Sequence, residues 1–233
     1  MIGIDTKIEE IVKTDNKMMD FFNKEKIDYC CNGYKTIEEV AKEKSLDANE
    51  LLDLIKKNID LSSDIKESQI NLDDFKNLDF DQMIDSIIKD HHQKERDLLF
   101  EIDPKLNKIL LVHYDKHGEE LLKLHSLFAD LKKELEEHFV KEEKVTFPLM
   151  LANKNPSDEM IKKVEDLEAD HEKAGYIIKE MINLTNWFKV PDDGCNTYKY
   201  TFNKLEVLVK DVFTHIFKEN SILFEKYSGS EEK

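Results

Sequence analysis

The sequence predicts an all-α protein: a small amino-terminal helical domain followed by an antiparallel four-helix bundle. Three observations lead there. The 233 residues include only 6 Gly and 4 Pro, so turn-forming residues are scarce. Hydrophobic residues make up 40% and charged residues 37%, a balance suited to amphipathic helices rich in Leu, Ile, Lys and Glu. Beyond about residue 80, apolar residues recur at helical spacing in four long stretches with short connections.

Residues 1–61 read as a unit of short helices. Asp5 and Thr6 are candidate caps for a helix with Ile8, Ile11 and Val12 on one face. A second helix carries Met18, Met19, Phe21 and Phe22. Asp28-Tyr29-Cys30-Cys31-Asn32-Gly33 follows, and its Asn-Gly pair places both cysteines at a tight loop. Thr36 with Glu39 forms a capping-box pattern ahead of Val40 and Ala41, and Asp47 with Glu50 repeats it ahead of Leu51, Leu52, Leu54 and Ile55. Residues 62–77 are polar with isolated apolar positions and read as a linker, which leaves 78–233 for the bundle.

The first long stretch runs from about Asp81 to Ile102 and carries His91 and His92. Asp103-Pro104 reads as a break or a new helix start, because Pro suits the first helical position, and Gly118 reads as a second interruption. The second stretch covers about Glu119 to Met150 with His138 and Glu142. The third covers about Ser157 to Phe188 with His171. Pro191 to Gly194 is the clearest turn, and the fourth stretch, about Asn196 to Tyr227, carries His215 and Glu219.

His138-x-x-x-Glu142 and His215-x-x-x-Glu219 are one motif used twice, each with a Phe five residues after its Glu. On a helix, positions i and i+4 share a face, so one imidazole nitrogen and one carboxylate point the same way. That donor pair suits a borderline first-row metal such as iron. A single copy is most often a solvated ion pair on a charged helix. Two copies in equivalent settings, with a histidine near the middle of each remaining helix, describe a shared metal site in a bundle core.

The formal net charge of −16 argues against a nucleic-acid partner, since phosphate contacts need a basic surface. No basic leader and no apolar run of membrane-spanning length is seen, so the expectation is a cytoplasmic protein with no membrane association. Cys30, Cys31 and Cys195 are too few, and odd in number, for a disulfide framework. Adjacent residues across a trans peptide hold their Cα atoms about 3.8 Å apart, closer than disulfides prefer. The pair Cys30–Cys31 therefore suits soft ligation of transient iron, or thiol exchange, against a bland reading as two small residues beside a turn. Cys195 has no partner in sequence and reads as a bystander, as does His125.

These residues resemble a hemerythrin-like domain. With the Asp28–Gly33 segment ahead of it, the chain as a whole is similar to the repair-of-iron-centres (RIC, ScdA/YtfE-type) family. The amino-terminal signature of that family is Asp-Tyr-Cys-Cys-Gly-Gly, and Asn32 stands here at the first Gly. Asn tolerates left-handed backbone, so the turn is expected to survive. The matching bundle segments are His138-x-x-Lys141-Glu142-Glu143 with Phe147-Pro148, Asp170-His171 with Ala174-Gly175, and His215-x-x-x-Glu219. The resemblance implies metal ligands His92, His138, Glu142, His171, His215 and Glu219. They would hold two iron ions per chain, bridged by carboxylates and open to an oxo bridge. Helical spacing from Ile84 and Ile87 favours His91 instead, while the family's spacing to Val112-His113 points to His92. His113 and His117 form a further i,i+4 pair, read as a bundle-end or access feature. Gly175 stands where an oxygen-carrying hemerythrin has a second histidine, which leaves coordination positions for small molecules. The implied function is repair of iron–sulfur clusters damaged by nitrosative or oxidative stress, by donation of iron to damaged or apo iron–sulfur proteins, with Cys30 and Cys31 taking part in the transfer. Other readings are an O2- or NO-binding or sensing protein, NO reduction at the two irons, and a purely structural adaptor.

Overall fold

The computed structural model describes residues 2–62, 72–153 and 156–229. Every regular element among these residues is helical, and the one extended pairing is an isolated antiparallel bridge between Lys7 and Thr36. Two compact units emerge: residues 1–83 together with the turn 216–223, and residues 84–215 with 224–233.

The first unit contains α1 (Ile8–Thr14), α2 (Met18–Lys24), α3 (Ile37–Glu43), α4 (Ala48–Ser62) and α5 (Leu72–Lys76). Ile8, Ile11, Val12, Met18, Phe22, Ile37 and Ile55 form its core. The predicted capping box of α3 is present, with the Glu39 amide donating to Thr36 Oγ1 and the Thr36 amide donating to Glu39. Asp47 Oδ1 likewise accepts from the amides of Asn49 and Glu50 at the start of α4. Helix α1 differs from expectation. Its cap residue is Lys7, and neither Asp5 nor Thr6 caps it. The amides of Ile8 and Glu9 instead donate to the carbonyls of Lys35 and Gly33, at 3.0 and 2.9 Å. The chain after the cysteine pair thus satisfies the orphan donors of α1. Gly33 is confined from two sides, where a Cβ would meet the Tyr29 carbonyl oxygen at 2.4 Å and Glu9 Cβ of α1 at 3.0 Å. Of the expected linker, residues 63–71 lie outside the described residues, and α5 buries Leu72 and Phe75.

Farther along the chain come α6 (Phe80–Ser86), α7 (Gln93–Val112), α8 (Tyr114–Lys141), α9 (Phe147–Ala152), α10 (Asp158–Thr185), α11 (Asn196–Lys218) and α12 (Phe224–Ser228), of which α6 starts and α11 ends within the first unit. Helix α8 packs against both α7 and α10, while α11 meets α7 through Lys204–Glu101 and Lys94–Asp211 ion pairs. The expected break at Pro104 does not occur, and α7 runs through it. Leu98, Leu99, Ile102, Leu106 and Ile109 are buried on both sides of the proline. Burying such side chains is worth about 1.5–3 kcal/mol each, which outweighs the roughly 3 kcal/mol that an interior proline costs. Gly118 is also interior, and the break lies at His113. Helix α10 stops at Thr185 because Asn186, Trp187 and Phe188 all take left-handed backbone. Among the described residues, no helix is long and apolar enough to cross a membrane.

Candidate metal centre

Three π-helical turns interrupt the α-helices at the predicted ligands. Ile87–His92 ends on His92, Glu142–Thr146 begins at Glu142, and Glu219–Leu223 begins at Glu219. A π turn widens the helix by one residue, changes which later residues face inward, and recurs at functional sites. In the first of these turns the shift brings His92 inward together with His91, and both are buried.

The second unit brings five of the six predicted ligands together. His92 Nε2 and His138 Nε2 each lie 3.2 Å from Glu142 Oε2. His92 Nε2 is 3.2 Å from His215 Nε2, and His171 Nε2 is 3.0 Å from His138 Nε2. The donor atoms of His92, Glu142 and His215 all lie within 4.8 Å of one another, as do those of His138, Glu142 and His171. Glu142 belongs to both groups. All five side chains are at most 4% exposed. Glu219 follows His215 by one turn of the same helical run and is fully buried. Imidazole nitrogen and carboxylate oxygen, converging in a dry interior, are donors for a borderline first-row cation. The residues fit such an ion.

Carboxylates stand behind two of these histidines. Glu95 Oε1 is 3.1 Å from His215 Nδ1, and Glu143 Oε1 is 2.9 Å from His92 Nδ1. An imidazole that donates Nδ1–H to a carboxylate presents its Nε2 lone pair forward, with its ring orientation held. Burial works against ionisation of Glu143, but hydrogen bonds from Arg96 and His92 hold its carboxyl below the usual range. Asp211 is opposed by burial in the same way and held low by His91 and Lys94. His91 Nδ1 lies 3.2 Å from Asp211 Oδ2, so His91 is engaged away from Glu142. Sequence reasoning missed Glu95 and Asp211. A signal was present, because Glu95 falls in register with Leu98, Leu99 and Ile102, and Asp211 with Leu208 and His215, as charges on buried faces.

The first unit holds a separate group. Donor atoms of Asp28, Cys30 and Cys31 lie within 4.8 Å of one another, and neither cysteine is in a disulfide. Asn32 has no left-handed backbone; its side chain instead donates to Asp28 Oδ2 at 2.6 Å.

Cys195 has a partner after all. His113 Nε2 lies 3.3 Å from its Sγ, and that hydrogen bond brings the thiol down to about 7. His117 pairs with Asp193 at 2.9 Å, so both histidines of the α7–α8 junction engage the turn before α11.

Residues 83–227 match the family model described as the hemerythrin HHE cation binding domain, and residues 4–59 match the ScdA amino-terminal domain, a domain of unknown function (DUF542). Similar over nearly its whole length is the iron-sulfur cluster repair protein ScdA of Staphylococcus haemolyticus (strain JCSC1435). It is 29% identical, covering 98% of this chain and 100% of that protein. The iron-sulfur cluster repair proteins YtfE of Enterobacter sp. (strain 638) and Escherichia coli O81 (strain ED1a) are each 28% identical, covering 97% of this chain and 98% of the relative.

Proposed function

Because the chain belongs to the hemerythrin HHE family and carries a ScdA-type domain ahead of that fold, we propose that it is a non-haem di-iron protein that repairs damaged iron–sulfur clusters by donating iron. The observation that carries this reading is Glu142. One buried carboxylate belongs to two histidine groups, as a bridge between two cations requires. His92 and His215 would hold one cation and His138 and His171 the other, with Glu142 available to both; Glu219, one turn after His215 along the chain, is the sixth proposed ligand. When bound, iron supplies a Lewis acid that can change valence.

The protein's part is to orient and to release. Glu95 and Glu143 hold His215 and His92 with Nε2 forward. Phe139 and Phe147 lie against the His92 ring at 4.5 and 6.1 Å and keep water from that side. Nitrogen and oxygen donors hold iron less strongly than the thiolates and sulfide of a cluster site would, so the transfer runs from a harder to a softer ligand set. Damaged or apo iron–sulfur proteins are the acceptors, nitrosative or oxidative stress is the setting, and Cys30 and Cys31 supply thiols on the route.

The test is transfer of labelled iron from the full chain to a defined apo-cluster acceptor. The loaded protein is expected to hold two irons, and Glu142→Ala to hold fewer than one and to repair no clusters. Normal repair by a variant without bound iron would overturn the proposal. Gly175, buried one turn after His171, favours a second reading in which small molecules such as O2 or NO bind an open position. Production of N2O from NO would support reduction, and a stable reversible O2 adduct would support binding or sensing.

A further inference from the structure

We propose that the loop Asp28–Cys31 is a cation site in its own right, in which Cys30 and Cys31 bind one thiophilic divalent ion through both sulfurs and Asp28 completes the set. The proposal deepens the iron-donation reading and rests on it only for the identity of the ion carried.

The distance between the sulfurs carries the argument. Cys30 Sγ and Cys31 Sγ are 3.7 Å apart, and neither is in a disulfide. Two thiolates at about 2.3 Å from a tetrahedral metal are separated by about 3.8 Å. The loop therefore already holds the two sulfurs along one edge of such a tetrahedron. The direct peptide link between the cysteines, which disfavours a bridge between them, is what keeps that edge short.

Asp28 supplies the loop's shape and its third charge. Its Oδ1 accepts from the amides of Cys30, Cys31 and Asn32 at 3.2, 3.0 and 3.3 Å, and lies 3.5 Å from Cys30 Sγ. Two thiolates and a carboxylate this close repel one another unless a cation lies among them. Each thiol releases its proton to solvent as its sulfur–metal bond forms, and no electron transfer is involved. Cys31 is partly exposed, so an incoming thiolate from an acceptor can reach the ion and displace these ligands.

The loop is also pinned. Gly33 and Lys35 accept from the first amides of α1, and Asn220 Nδ2 donates to the Cys30 carbonyl at 3.2 Å within the same unit. Asn220 directly follows Glu219. The turn that carries a proposed iron ligand is thus hydrogen-bonded to the cysteine loop.

The experiment titrates cadmium(II) into the full chain in a Cys195→Ser background and follows the ultraviolet thiolate-to-cadmium charge-transfer absorption. One equivalent is expected to develop that absorption. Cys30→Ser/Cys31→Ser should abolish it while leaving helical content and iron at the His/Glu centre unchanged. Asp28→Asn should weaken binding about tenfold or more. No charge-transfer absorption in the Cys195→Ser chain, or equal absorption after both cysteines are replaced, overturns the site. Failure of the donation reading shows separately, as iron that never reaches the acceptor.

Discussion

His91 and His92 are neighbours in sequence, equally buried, and differently employed. His92 reaches Glu142, His138's partner, while His91 turns to Asp211, which also pairs with Lys94. His92 and His215 also depend on what stands behind them. Glu95 is the clearest case, a fully buried carboxylate at 3.1 Å from His215 Nδ1. Glu95→Ala is expected to lower iron affinity about 10–100-fold, measured by chelator competition, with helical content unchanged. Glu95→Gln, which keeps an acceptor oxygen, should recover part of the loss. Unaltered affinity in the alanine variant would show that His215 needs no such support.

At the scale of the element, the π turn Ile87–His92 explains why regular spacing points to His91 while His92 is the histidine that reaches Glu142. Counting back from His91 by four and seven reaches Ile87 and Ile84, so regular spacing selects His91. The turn Ile87–His92 has wider geometry than that count assumes. Helix α7 shows the opposite lesson. Pro104 looks like an end and is not one, because apolar residues at helical spacing continue on both sides. Pro104→Ala restores the missing amide donor and should stabilise the protein by about 1–3 kcal/mol, read as a higher urea midpoint. A lower midpoint would mean that the proline's restriction of the unfolded chain outweighs the lost bond. The short helices of the first unit were legible in more detail, since caps such as Thr36 with Glu39 are local and complete within four residues.

For the whole molecule, acidity sets the pH response. The formal net charge is −16, and several carboxylates are ionised more readily than usual. Glu101 is brought from the ordinary 4.5 to about 2, first by the Tyr200 hydroxyl and then by Lys204. A depressed folded-state value stabilises the fold above the unfolded value, and that contribution is lost as pH falls through the folded one. The urea midpoint should therefore decline as pH drops from 4.5 toward about 2. Glu101→Gln should be less stable than the parent at pH 6 and match it near pH 2. The effect is small because the pair is partly solvated. Equal stability of variant and parent at both pH values would remove Glu101 from the account.

The repeated His-x-x-x-Glu spacing, the histidines of the other two helices and the Asp-Tyr-Cys-Cys loop are local patterns, and local periodicity is enough to place each on its helix or turn. From these residues alone follow the helical class, the donor chemistry and a cysteine pair whose Cα atoms lie too close for an easy disulfide. Tertiary structure decided the rest: the employment of His91 and His92, the carboxylates behind the histidines, and the His113–Cys195 contact. Glu95 and His215 are 120 residues apart, and His113 and Cys195 are 82 apart. Contacts at such separations depend on how whole helices pack, and one extra residue in a π turn changes which side chains take part. No count along a single helix carries that information.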